Sequence, residues 1–199
     1  MKKTNLPRCL AVTFFALAAA GAARAHPGHG DGGLAAGFMH PFMGMDHLLA
    51  MVAVGLWSIA ALPPGRRWVG PAAFLALLLV GAWLAAAGTV RAWPALETGV
   101  AASVLVFALL VLFGRRIAPV PGLALVAAGA LLHGLAHGSE LAPGHAFSAY
   151  AGGFMAASAL LHVGGLAAGA RLQRLPAWAW RGAGGVLALG GVALLAARF

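Results

Sequence analysis

The 199 residues include one cysteine, one tyrosine and four acidic side chains, and only 9% are charged. Soluble domains carry roughly 25% charged residues, so this scarcity excludes an ordinary water-soluble fold. A lone cysteine, Cys9, leaves no internal disulfide and no multi-thiolate metal centre to build. No Gly-rich loop ending in Lys-Ser/Thr occurs, and no polar segment is long enough for a nucleotide-binding domain. The 29 glycines lack a three-residue period and prolines number 11, which excludes collagen-like and disordered chains.

What fills the chain is apolar: 62% of residues are hydrophobic. The formal charge of +9 does not point to nucleic acid, because the basic residues lie in small groups between apolar runs rather than on one face. Residues 1–25 carry Lys2, Lys3 and Arg8, then an apolar stretch from Leu10 to Ala20, then Ala23-Arg24-Ala25. This is the pattern of a secretory signal peptide cleaved after Ala25. Its removal takes Cys9 and four basic residues, so the mature charge is +5.

A polar, histidine-bearing segment, 26–33, precedes apolar runs at 34–62, 68–90, 95–113, 119–138, 146–170 and 177–197. Each approaches or exceeds the ~20 residues that cross a bilayer as a helix. The expectation is an all-α polytopic membrane protein whose six transmembrane helices occupy 34–199. With the mature N-terminus outside, Arg66, Arg67, Arg115, Arg116, Arg171, Arg174 and Arg181 face the cytoplasm, in keeping with the positive-inside bias. Trp57, Trp68, Trp93, Trp178 and Trp180 fall near proposed span ends, where indoles anchor at the interface. The pairs Gly134/Gly138 and Gly165/Gly169 would let helices four and five approach closely.

Ionisable residues inside a span are expensive and therefore functional candidates. His40 and His47 are seven residues apart on one helical face, flanked by Met43 and Met51, and Pro41 is placed to interrupt the backbone ladder. Asp46 adjoins His47. At the end of span four, His133, His137 and Glu140 share one side at spacings of four and three. Glu97 begins span three on the same outer side, where it is a further ligand or simply a carboxylate at a helix N-terminus. His162 lies deeper, as a secondary ligand or an interhelical hydrogen-bonding group. His26 and His29 add a weak capture site or a mere spacer. Together these residues imply an outward-opening vestibule.

Imidazoles and carboxylates without thiolate favour borderline divalent ions such as nickel, cobalt or zinc, while Met43, Met45 and Met51 admit copper. No tightly bound cofactor is expected. Three activities remain open: a permease, an intramembrane zinc hydrolase with Glu140 as general base, and a metal sensor.

The stretches His40-Pro41-x-x-Gly44-x-Asp46-His47-Leu48-x-Ala50-Met51, Gly55-Leu56-Trp57, Glu97-x-Gly99 and His133-Gly134-x-Ala136-His137-Gly138-x-Glu140, behind a signal peptide and a His-rich start, resemble the HupE/UreJ family along essentially the whole mature chain. The resemblance implies a non-enzymatic secondary permease of the bacterial inner membrane. It would take up nickel, in some relatives cobalt, for hydrogenase or urease maturation. It also implies that His40, Asp46, His47, His133, His137 and Glu140 matter for metal transport.

Overall fold

The computed structural model describes residues 33–90, 93–141 and 146–199. The expected signal peptide and the histidines of the N-terminal segment, His26 and His29, lie outside the described residues.

Among the described residues the chain is all helical: α1 (Leu34–Met43), α2 (Met45–Ala61), α3 (Val69–Ala86), α4 (Leu96–Phe113), α5 (Pro119–Glu140), α6 (Phe147–Leu172) and α7 (Ala177–Ala196). Five segments are individually long and apolar enough to cross a membrane: Pro64–Ala86 and the helices α4 to α7. The bent pair α1 and α2 passes the same test only when taken together, giving a sixth.

The expected first span, 34–62, is therefore not one straight helix. It breaks at Gly44, and its halves meet at 79°. Pro41 does not make the break. It sits within α1, with the ladder continuing to a Gly44 N–H bond on the His40 carbonyl. Gly44 is extended, and a Cβ there would lie 2.9 Å from Asp46 Oδ1 and 3.0 Å from His47 Nδ1. A side chain at this position would force the Asp46 and His47 side chains to shift.

Punctuation at other ends is conventional. Pro63 and Pro64 stop α2. Gly88, at φ +70°, closes α3 in a Schellman turn, with Thr89 N–H on the Leu84 carbonyl and Gly88 N–H on that of Ala85.

From α2 to α7 the helices alternate in direction, so two ends can be distinguished. One gathers the start of α2, the start of α4 and the end of α5, hence Asp46, Glu97 and Glu140. The connections at the other end carry Arg66, Arg67, Arg116, Arg171 and Arg174. There Gln173 Nε2 donates to the Ile59 carbonyl (2.9 Å) and Trp180 Nε1 to that of Val111 (2.9 Å), tying α6 and α7 to the ends of α2 and α4.

Close approach through glycine occurs, but α5 and α6 do not use it on each other. Gly134 and Gly138 bring α5 onto the backbone of α3 at Leu78 and Ala82. Gly165 and Gly169 bring α6 onto α2 at Val52, Gly55 and Ile59. Gly37 and Gly153 seat α1 on α6 in the same way. Such contacts let dispersion and weak backbone contacts act between helices that gain nothing from hydrophobic transfer out of lipid.

One expected interfacial tryptophan is misplaced by the sequence reading. Trp57 is fully buried at the contact of α2 with α5, its indole lying over Gly114 and Gly122, which supply the space. Trp68 and Trp178 are exposed, as anchors would be.

Candidate metal site

The break at Gly44 has a chemical consequence. His40 closes α1 and His47 opens α2, and their rings come within 5.5 Å across the bend rather than along one helical face. Met43 does not flank them as a helical wheel suggests: it is 62% exposed, whereas Met51 is packed in the apolar core.

The second motif arrives from α5. His137 lies 4.4 Å from His47 and 4.7 Å from His40 between ring centroids, and His133 lies 4.7 Å from His47. Both motifs thus converge at one end of the bundle. One ligand atom from each of His40, His47 and His137 falls within 4.8 Å of the other two. His47, His133 and His137 are buried and His40 partly so. The cluster meets the surface at His40 and Glu140, whose side chains are 29% and 44% exposed. A surface depression of about 420 Å³ lies at the opposite end, lined by Ala60, Gly114, Arg116 and Pro119 among others.

Hydrogen bonds around the cluster determine which ring nitrogens are left over. His47 Nδ1 lies 2.7 Å from Asp46 Oδ1, which also accepts the His47 backbone N–H at 2.8 Å. A carboxylate only accepts, so Nδ1 carries the proton and Nε2 keeps its lone pair. Asp46 stands in the first turn of α2, where the helix dipole favours its charge. It braces His47, in the manner of carboxylates behind metal-bound imidazoles.

His133 is braced by Ser103 of α4. The Ser103 hydroxyl donates to the Val100 carbonyl (2.7 Å) and accepts from His133 Nε2 (2.9 Å), which leaves Nδ1 free. His47 Nε2, His133 Nδ1 and both ring nitrogens of His137 have no hydrogen-bond partner among the described residues. Buried polar groups are nearly always paired, and leaving one unmet costs about 1–3 kcal/mol. Since a neutral imidazole carries one lone pair, these three touching histidines offer one nitrogen each, a donor set that fits a cation with imidazole preference. The His137 ring stacks on Phe154 at 4.6 Å and 11°, which fixes its plane.

The carboxylates are distributed around the cluster. Glu140 Oε2 pairs with His40 Nε2 at 2.9 Å. Glu97 Oε2 lies 3.1 Å from Arg198 Nη2, and the same guanidinium nitrogen is 3.6 Å from Asp46 Oδ2. His162 does not join the cluster. Phe74 lies between it and His133, with centroid distances of 4.9 and 5.8 Å, and its Nδ1 donates to the Ser158 carbonyl at 2.7 Å.

Ser103, Phe154 and Arg198 were not singled out as site residues from the sequence. Ser103 had a signal, being a hydroxyl within an apolar span. Arg198 had another, as a basic residue at the end where the acids collect. Phe154 had none.

Ser103→Ala leaves His133 Nε2 without its acceptor and frees the tautomer. Metal affinity is expected to fall about tenfold, the scale on which such bracing groups act, with the fold intact. A nickel titration of the purified variant beside wild type checks it; equal affinity would remove Ser103 from the account.

An all-helical bundle with five to six candidate spans and a histidine–carboxylate cluster at one end defines a class: the multi-pass membrane proteins with ionisable groups held inside the helix bundle. Within that class the family is also shown. The family model described as HupE / UreJ protein matches residues 13–194, and this chain belongs to that family. It is 42% identical over 189 residues to "Protein HupE" of Rhizobium leguminosarum bv. viciae, covering 94% of this chain and 96% of that protein. No solved structure matches it.

Proposed function

We propose that this protein is a secondary permease that takes up divalent nickel across the bacterial inner membrane, with cobalt or zinc as competing cargo, for hydrogenase or urease maturation. The observation that carries this reading is the group of four orphaned imidazole nitrogens where the broken span meets α5. Family membership supports metal transport as the activity. Counting α1 and α2 as one span gives six, which puts both termini on one side. The arginine-bearing connections then face the cytoplasm and the histidine cluster faces out.

His40, His47 and His137 receive the ion, His133 lies next along α5, and Asp46 and Glu140 set the imidazoles and supply negative charge. Each charge moved inward gains about 2.3 kcal/mol per 100 mV of inside-negative potential, so a divalent ion gains ~4.6 kcal/mol, roughly a thousandfold accumulation. The membrane potential suffices as the driving force. Hydrolysis is less well supported: the carboxylate it needs as general base, Glu140, is engaged with His40.

Radiolabelled nickel accumulation in cells expressing the chain, with cobalt, zinc and copper as competitors, tests this reading. Nickel uptake above the empty-vector level, suppressed most by cobalt, is expected. No uptake of any of the four metals by well-expressed protein would sink it.

Gly44→Ala probes the break itself. The added methyl pushes on Asp46 Oδ1 and His47 Nδ1, so uptake should fall about tenfold or more, because small displacements of a positioned group carry large penalties. Uptake at wild-type rate would show that the bend tolerates a side chain.

A further inference from the structure

The four contacts of a carboxylate with a basic or histidine side chain among the described residues all lie at the histidine end of the bundle, and Arg198 makes two of them. Its guanidinium bridges Glu97 on α4 and Asp46 on α2. Asp46 is the carboxylate that braces His47, so Arg198 is one side chain removed from a candidate ligand.

The placement of Arg198 is built rather than incidental. Past α7 the backbone continues in a hydrogen-bonded turn, with Arg198 N–H on the Leu195 carbonyl and Phe199 N–H on that of Ala196. Gly191 seats α7 against the backbone of α4 at Leu105, and Gly184 seats it on Leu112. The helix that carries Arg198 is thereby packed along the helix that carries Glu97. The Arg198 side chain is one-third exposed, so it has a route into water when displaced.

Chemistry limits what this group can do. Arginine stays protonated and has no lone pair to offer, so it cannot ligate a metal. It can only balance the carboxylates as a cation, and one positive charge stands against two negative ones. A divalent ion beside His47 supplies more charge to the same place and repels the guanidinium.

We propose that Arg198 is a tethered counter-cation, which neutralises Asp46 and Glu97 while the site holds no metal and is displaced when a divalent cation enters. This rests on the reading of the histidine cluster as the transport site. The tether lowers apparent metal affinity by the fraction of time the arm is withdrawn. That keeps binding weak enough for the ion to leave again, and it sets a threshold that a singly charged ion does not overcome.

The competing account makes Arg198 a prop that holds Asp46 in place, and the two predict opposite signs. Nickel titration calorimetry of the purified full-length protein, at low ionic strength, separates them. In Arg198→Gln the dissociation constant should drop about fivefold, on the scale of a partly exposed ion pair, while Arg198→Lys stays near wild type. Arg198→Ala should reproduce the Gln result and serves if the first variant does not fold. Unchanged or weaker binding in the neutral variants, with wild type binding normally, overturns the counter-cation alone. Absence of nickel binding by wild type overturns the transport site along with it.

Discussion

His137→Ala is expected to abolish nickel accumulation and to weaken nickel binding by more than a hundredfold. Among the described residues His137 is the one histidine whose two ring nitrogens are both buried and unpartnered, and its ring lies within 5 Å of both His40 and His47. Removing it takes away the imidazole of α5 that lies between the two across the bend, leaving only His133 beside His47 and Glu140 beside His40. Loss of a bracing group typically costs about 10–100-fold in metal affinity, and loss of a ligand costs more. The fold should persist, because the substitution also deletes a polar group that has no partner inside the bundle. Uptake of labelled nickel at matched protein level, with a thermal melt of the purified variant, checks both halves. Retained uptake with a normal melt would take His137 out of the pathway.

The second large effect concerns assembly. Gly134→Ala places a methyl group on the Leu78 carbonyl oxygen of α3, where backbone meets backbone and no side chain can give way. Overpacking costs about 1–3 kcal/mol when side chains can adjust, and here α3 and α5 must separate. A loss of about 3 kcal/mol or more is expected, read as a lower melting temperature in detergent and reduced yield. Gly164→Ala is the matched control: its Cβ would meet nothing within 4 Å, so stability should hold or rise slightly. Equal behaviour of the two variants would mean that the α3–α5 contact does not rest on glycine.

This pairing shows why the second motif alternates His-Gly. His133 and His137 face the cluster, while Gly134 and Gly138, one residue further round α5, face α3. The same turns therefore position the imidazoles and clamp the helix that carries them.

Much of this was legible in the chain. Apolar runs separated by arginine and proline reveal the helices, because bilayer thickness sets their length. Histidines and acids at matching ends of spans reveal the convergence of the two motifs, because polar groups at that depth must find one another. Hydropathy does not say which faces meet. So the glycine pairs of α5 and α6 were legible as close contacts but not as contacts with α3 and α2, and Trp57 read as an anchor although Gly114 and Gly122 enclose it. The break was legible only as a proline. It falls at Gly44, where an added Cβ would crowd the Asp46–His47 pair, a three-dimensional relation that periodicity does not contain. Arg198 and Ser103 depend likewise on helix pairings, α7 on α4 and α4 on α5, that no local pattern encodes.

Nickel flux into liposomes containing the purified protein and an enclosed metal-sensitive dye tests the central claim most directly. Under an imposed inside-negative potential the wild-type protein should admit nickel at a rate that rises with the potential, and His47→Ala and His137→Ala vesicles should match empty ones. Flux that is equal in wild type and both variants, or absent from wild type at any potential, would contradict the assignment of the histidine cluster as the transport site.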